Sequence, residues 1–146
     1  MAYGDESATG PGLPHLGNQD GHAGAGGELN AEIARAIVGI YRDVCGRGPT
    51  KARATFRGDV IVVVLENVLT PPERSLIASG RAREAETVRR DLHDAMRAKL
   101  ARAVSRLTGS EVRAVMGESE HNSDMAVEVF VLDTPVDPSR LAAGTR

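Results

Sequence analysis

One cysteine and no tryptophan stand in the 146 residues, and aromatics make up only 3% of them. A lone Cys45 excludes any disulfide within the chain. It falls at the end of a helical pattern, four residues after Tyr41, with no histidine nearby in sequence. It therefore reads as a small half-buried side chain rather than a reactive thiol. With aromatics so scarce, the core must be built from Val, Ile, Leu, Ala and Met, for which an apolar fraction of 41% suffices. The same scarcity argues against nucleic acid, because binding a single strand sets aromatic platforms among basic residues. Excess charge is missing too. Eighteen Lys and Arg against 20 Asp and Glu give a formal net charge of -2, with no global pull toward nucleic acid or an anionic membrane. The longest strongly apolar run, Val60 to Leu65, is far too short to cross a bilayer, so no membrane insertion is expected. The first residues lack a basic region followed by an apolar one, and the chain reads as cytoplasmic.

What is there divides into three parts. Residues 1–27 are dense in glycine, carry Pro11 and Pro14, and show no apolar periodicity, so a disordered tail is expected. Its histidines, His15 and His22, have no paired ligand and read as solvated. Residues 28–133 read as a single domain, and residues 134–146 as a flexible tail after Pro135 and Pro138. Within the domain, Leu29, Ile33, Ala36, Ile37, Ile40, Tyr41 and Val44 form one apolar stripe of a helix that Gly46 ends. Ala52, Ala54 and Phe56 alternate with Arg53, Thr55 and Arg57, and Gly58-Asp59 turns the chain into the continuous run Val60 to Leu65. That run predicts a central strand covered on both faces. Thr70-Pro71-Pro72-Glu73 is a helix start with a capping box. A long helix follows, with Val88, Leu92, Ala95, Met96, Leu100, Ala103, Val104 and Leu107 on one face and Gly109 at its end. Its many arginines, Arg89 and Arg90 among them, read as a solvated face mixed with acids. Val112 to Met116 and Met125 to Leu132 predict two more strands, joined by a polar connection from Gly117 to Ser123. The order predicts an α+β fold: helix, hairpin, short helix, long helix, hairpin, with helices on one face of a four-stranded, mostly antiparallel sheet.

Chemistry is harder to find. The stretch from Gly46 to Lys51 has two glycines and a lysine, but it follows a helix and opens a strand, and its spacing is not that of a phosphate loop. What it does offer is cations. Arg47 and Lys51 flank a Gly-Pro turn, and Arg53 and Arg57 continue on the face of Lys51, with Thr50 beside them. Such an edge suits an anion or an acidic partner surface. The bland alternative is a solvated strand face whose cations pair with Glu66 or Glu128. A secondary candidate is the polar turn of His121, Asn122 and Asp124. His93 has Arg97 four residues on, so a helical metal pair is absent, and no metal or other cofactor is expected. No Gly-x-Ser-x-Gly, Cys-x-x-Cys or His-Glu-x-x-His occurs, and no catalytic set assembles.

Several separated pieces resemble one family. "GRGPTKA" from Gly46, the Leu65-Glu66 strand end running into Leu69-Thr70, the Arg89 to Met96 segment and "MAVEVF" from Met125 are similar to the MpsC-like family of small bacterial proteins. The resemblance covers roughly Glu28 to Asp133. It implies an association with a sodium-translocating, membrane-potential-generating system whose other components are linked to inorganic carbon uptake, and it carries over no catalytic residue. The expected function is a non-enzymatic accessory or regulatory protein, a partner of a membrane ion or inorganic-carbon transport system. The alternative is a sensor that holds an anionic metabolite at the basic hairpin edge. A homodimer or higher oligomer is also expected, because a domain this small with a strand apolar on both faces has little of its own to cover it.

Overall fold

The computed structural model describes residues 24–139. Leu29, Ile33, Ile37 and Tyr41 recur every fourth residue of helix α1 (Ala25–Cys45), and all four are buried. Burial of each such side chain contributes about 1.5–3 kcal/mol. Gly46 ends the helix at φ 82, where its N–H donates to the Arg42 carbonyl. Nothing lies within 4 Å of where a Cβ would stand there. Replacing it therefore tests backbone strain alone. Gly46→Ala should lower stability by about 1 kcal/mol, read as a lower urea midpoint with an unchanged slope.

The hairpin follows as β1 (Lys51–Arg57) and β2 (Val60–Glu66), turned by Gly58 at φ 59. Thr70 caps α2 (Pro71–Ala78), and the capping box is complete. Gly80 then bends the chain into the long helix α3 (Ala82–Thr108), ended by Gly109 at φ 71. The last hairpin is β3 (Val112–Glu120) and β4 (Met125–Leu132). The fold is α+β, as the pattern predicted, with one four-stranded sheet in the order β1-β2-β4-β3, antiparallel throughout. Helices α1 and α3 pack side by side against it, and their stripes meet Ile61, Val63, Leu65, Phe130 and Leu132 in the core.

Four expectations need correction. The first is the tail. Residues 1–23 lie outside the described residues, as do both tail histidines, but α1 already begins at Ala25. Gly26 lies beside Phe56 and Pro138, with room for a Cβ in ordinary contact with both. At the other end the chain does not come loose at residue 134. The Thr134 N–H donates to Ser110 Oγ, and the Val136 N–H donates to the Gly58 carbonyl.

Strand β3 is the second. It runs on to Glu120, because Gly117, Glu118, Ser119 and Glu120 pair with β4 despite their polarity. The third correction concerns α3, whose buried side differs from the apolar stripe. Val88 is 39% exposed and Ala95 is exposed, whereas Arg89 is buried. The fourth is β2, which is central but, among the described residues, covered on one face only. Its Ile61, Val63 and Leu65 are fully buried, while Val60, Val62 and Val64 are half-buried on the face away from the helices. A continuous apolar run does not by itself distinguish two covered faces from one covered face and one open apolar face.

Candidate functional site

Strand β4 alternates, and its inward residues are Ala126, Glu128, Phe130 and Leu132. A glutamate thus stands in the row that faces the core, 1% exposed. A buried carboxylate is costly unless its oxygens are hydrogen-bonded. Both are. The Tyr41 hydroxyl, the last buried position of the α1 stripe, donates to Oε1 at 2.6 Å. His93 Nε2, from α3, lies 2.7 Å from Oε2. Burial, then the neighbouring Glu128 charge, pushes the Tyr41 hydroxyl far above its ordinary range, so it stays protonated and remains a donor. Across the β3–β4 ladder, Gly117 pairs with Glu128. A Cβ at Gly117 would lie 2.6 Å from Glu128 Oε2 and would also run into His93 Nε2. Gly117 is not among the glycines at positive φ, so the glycine serves space rather than backbone freedom.

A second buried carboxylate lies one turn of α3 away. Glu73 is 0% exposed, and Arg89 grips it in a fork, Nε to Oε1 at 2.8 Å and Nη2 to Oε2 at 2.5 Å. Arg89 Nη2 also donates to the Val68 carbonyl at 2.8 Å, and the Thr70 N–H and hydroxyl complete Oε2. The capping box of α2 is therefore also the anchor that holds α2 on α3. Cys45 sits at the margin of this pair, 4.0 Å from Arg89 Nη1, and burial pushes its thiol up. A raised thiol is a poor nucleophile, in keeping with a packing role.

Between α3 and β3, above the Tyr41–Glu128–His93 group, opens a cleft of about 400 Å³. Its helix wall carries Glu86, Arg90, Asp94 and Arg97, and its strand wall Gly117 and Ser119. The floor is fixed by its own hydrogen bonds, and the walls present both charges to the opening. Such a lining suits a small polar ligand with donors and acceptors of both signs, held by charge-assisted hydrogen bonds. Among the described residues no group of three or more His, Cys, Asp or Glu could hold a metal ion.

The structure scatters the residues singled out from sequence. Lys51, Arg53 and Arg57 do share one face, the exposed one of β1, and Lys51 pairs with Glu66 at 3.4 Å. None of the three lines the cleft between α3 and β3. Thr50 is exposed and donates its N–H to the Glu66 carbonyl. Arg47 points elsewhere, with Nη1 on the Leu69 carbonyl at 2.6 Å and on Asn67 Oδ1 at 3.2 Å. It meets Asp124 indirectly there. Asp124 Oδ1 accepts from the Val68 and Leu69 N–H groups, and Arg74 bridges Asn67 and Asp124. Arg47 and Asp124 thus belong to one clasp around the loop that leads into α2. His121 lies 3.7 Å from Glu86 at the rim of the cleft. Asn122 donates its N–H to Glu120, whose carboxyl is pushed down to about 2 by the Ser123 hydroxyl and the Asn122 and Ser123 N–H groups.

Tyr41, Glu73, Arg89, His93, Gly117 and Glu128 were not singled out as a site. One signal was available: a lone glutamate at the inward position of an alternating apolar strand has to find donors.

Residues 25–134 match the family described as "Na+-translocating membrane potential-generating system (MpsC)". The chain is also similar to "Uncharacterized protein YbcI" of Bacillus subtilis (strain 168), 25% identical over 107 residues that cover 73% of this chain and 86% of that protein. No solved structure matches. The family match runs from the first residue of α1 to just past the end of β4, and with every element of the fold inside it the chain belongs to the MpsC family.

Proposed function

We propose that this protein is a non-enzymatic accessory or regulatory partner of a membrane ion-translocating system. The observation that carries this is the family's description as a Na+-translocating, membrane-potential-generating system, matched over every element of the fold. No helix among the described residues is long and apolar enough to cross a membrane, so the role proposed is that of a partner rather than of the conducting path. What supports a non-enzymatic role is the state of the two buried carboxylates. Glu128 is occupied by Tyr41 and His93, and Glu73 by Arg89 and Thr70, so both are committed to fixed donors within the protein. The test uses inverted membrane vesicles from cells with the gene deleted, their Na+-dependent potential read with a voltage-sensitive dye. Added purified protein should restore the potential seen in vesicles from intact cells. An identical potential with and without the gene would sink the proposal.

The cleft favours a second reading, that the partner senses a small polar ligand. Nucleotides, bicarbonate and phosphorylated metabolites, screened by thermal shift, should include one that raises the midpoint with concentration. Arg90→Ala with Arg97→Ala should abolish that rise, whereas Lys51→Ala with Arg53→Ala should keep it. The opposite pattern would move the site to the hairpin.

A further inference from the structure

Among the described residues, no helix packs on the face of the sheet turned away from α1 and α3. In antiparallel strands, residues directly opposite one another share a face, so the register lays this one out. Its centre is six half-buried valines, Val60, Val62 and Val64 on β2 beside Val131, Val129 and Val127 on β4. Met116 on β3, paired with Val129, extends the band and is 52% exposed. The two edges carry opposite charge. On β1, Arg53 and Lys51 stand opposite Val64 and Glu66. On β3, Glu118 and Glu120 stand opposite Val127 and Met125. Arg53 and Glu118 therefore lie at one level of the sheet, and Lys51 and Glu120 at the next.

We infer that this face is the interface of a homodimer, two sheets stacked face to face about a two-fold axis that runs along the strands. Charge decides the orientation. A two-fold along the strands reverses the sheet order, so β1 of one copy lies over β3 of the other. Arg53 then faces Glu118 of the second copy, Lys51 faces Glu120, and the valines of β2 cover those of β4. A two-fold across the strands would instead lay β1 over β1 and set cation against cation, which disfavours that arrangement. Aligned sheets of this kind stack about 10 Å apart with their strands crossing at about 30°. The second copy also explains why β2 is apolar from Val60 to Leu65 while the helices cover only one side of it. Four strands of about seven residues give a face on the order of 400 Å² in projection. That is a small interface, and the dimer should be a reversible one with a dissociation constant on the order of micromolar.

Sedimentation of the full chain across a concentration series tests this, with far-UV circular dichroism to check the fold of each variant. The wild type should move from chain mass toward twice chain mass as concentration rises through the micromolar range. Val129→Glu, at the centre of the face, should stay folded and monomeric. Arg53→Glu should weaken the dimer at least about tenfold by setting like charges together, and Arg53→Glu with Glu118→Arg should restore it. If Val129→Glu fails to fold, the charge pair still decides. A wild type that remains monomeric up to about ten times the expected micromolar range overturns the inference. So does a dimer indifferent to both variants, a dimer strengthened by Arg53→Glu, or a double charge reversal that fails to restore association.

Discussion

Arg89→Met should lower the stability of the domain by about 3–5 kcal/mol, because it leaves the Glu73 carboxylate buried without its counter-ion. Arg89 is 6% exposed, and its fork is the only cationic partner Glu73 has among the described residues. Methionine preserves the length of the stem, so packing is largely kept and the loss reports the charge. The thermal midpoint should fall on the order of 10 °C or more, followed by circular dichroism. The exposed neighbour Arg90 is the control, and Arg90→Met should cost no more than about 0.5 kcal/mol. A gap between wild type and variant under about 1 kcal/mol at neutral pH would mean that water screens the pair as it screens a surface bridge.

Gly117→Ala sets two effects of opposite sign against each other. In an ordinary strand, alanine in place of glycine gains roughly 0.5–1 kcal/mol from the entropy of the unfolded chain. Here the new methyl would enter the contact between His93 and Glu128, both packed against Gly117. Overpacking of this kind costs about 1–3 kcal/mol. The cost should win, giving a net loss, because one clashing atom belongs to a carboxylate held at 2.6 Å by Tyr41 and cannot retreat without breaking that bond. Adding His93→Ala should recover part of the loss by making room on one side, and that coupling can be measured in a double-mutant cycle. If Gly117→Ala stabilises the protein, the floor of the cleft is looser than its geometry indicates. The same methyl narrows the cleft at its floor, so any ligand found by thermal shift should also bind more weakly to this variant.

Local chemistry made most of the fold legible. The Thr70 to Glu73 capping box, the left-handed glycines 46, 58, 80 and 109 and the stripe from Leu29 to Tyr41 each follow from interactions within a few residues. The family was legible as well, from short pieces spread along the chain, and the match over residues 25–134 bears it out. The candidate site was not legible. Arg89 and Arg90 are adjacent and chemically identical in sequence, yet one is buried on Glu73 and the other faces the cleft wall. Arg47 and Lys51 are both cations of the same short stretch, yet one clasps Asn67 and Leu69 while the other lies on the sheet.

What the sequence determined by itself is the set of elements, because helix stripes, caps and tight turns depend on neighbours close along the chain. Tertiary structure decided which polar groups are spent and which are free. Glu128 finds Tyr41 across 87 residues and His93 across 35, and Arg89 finds Glu73 across 16. It also decided that one face of β2 meets helices while the other, among the described residues, meets none. A buried charge takes its role from the donor opposite it, and packing sets that donor in place from a distant part of the chain.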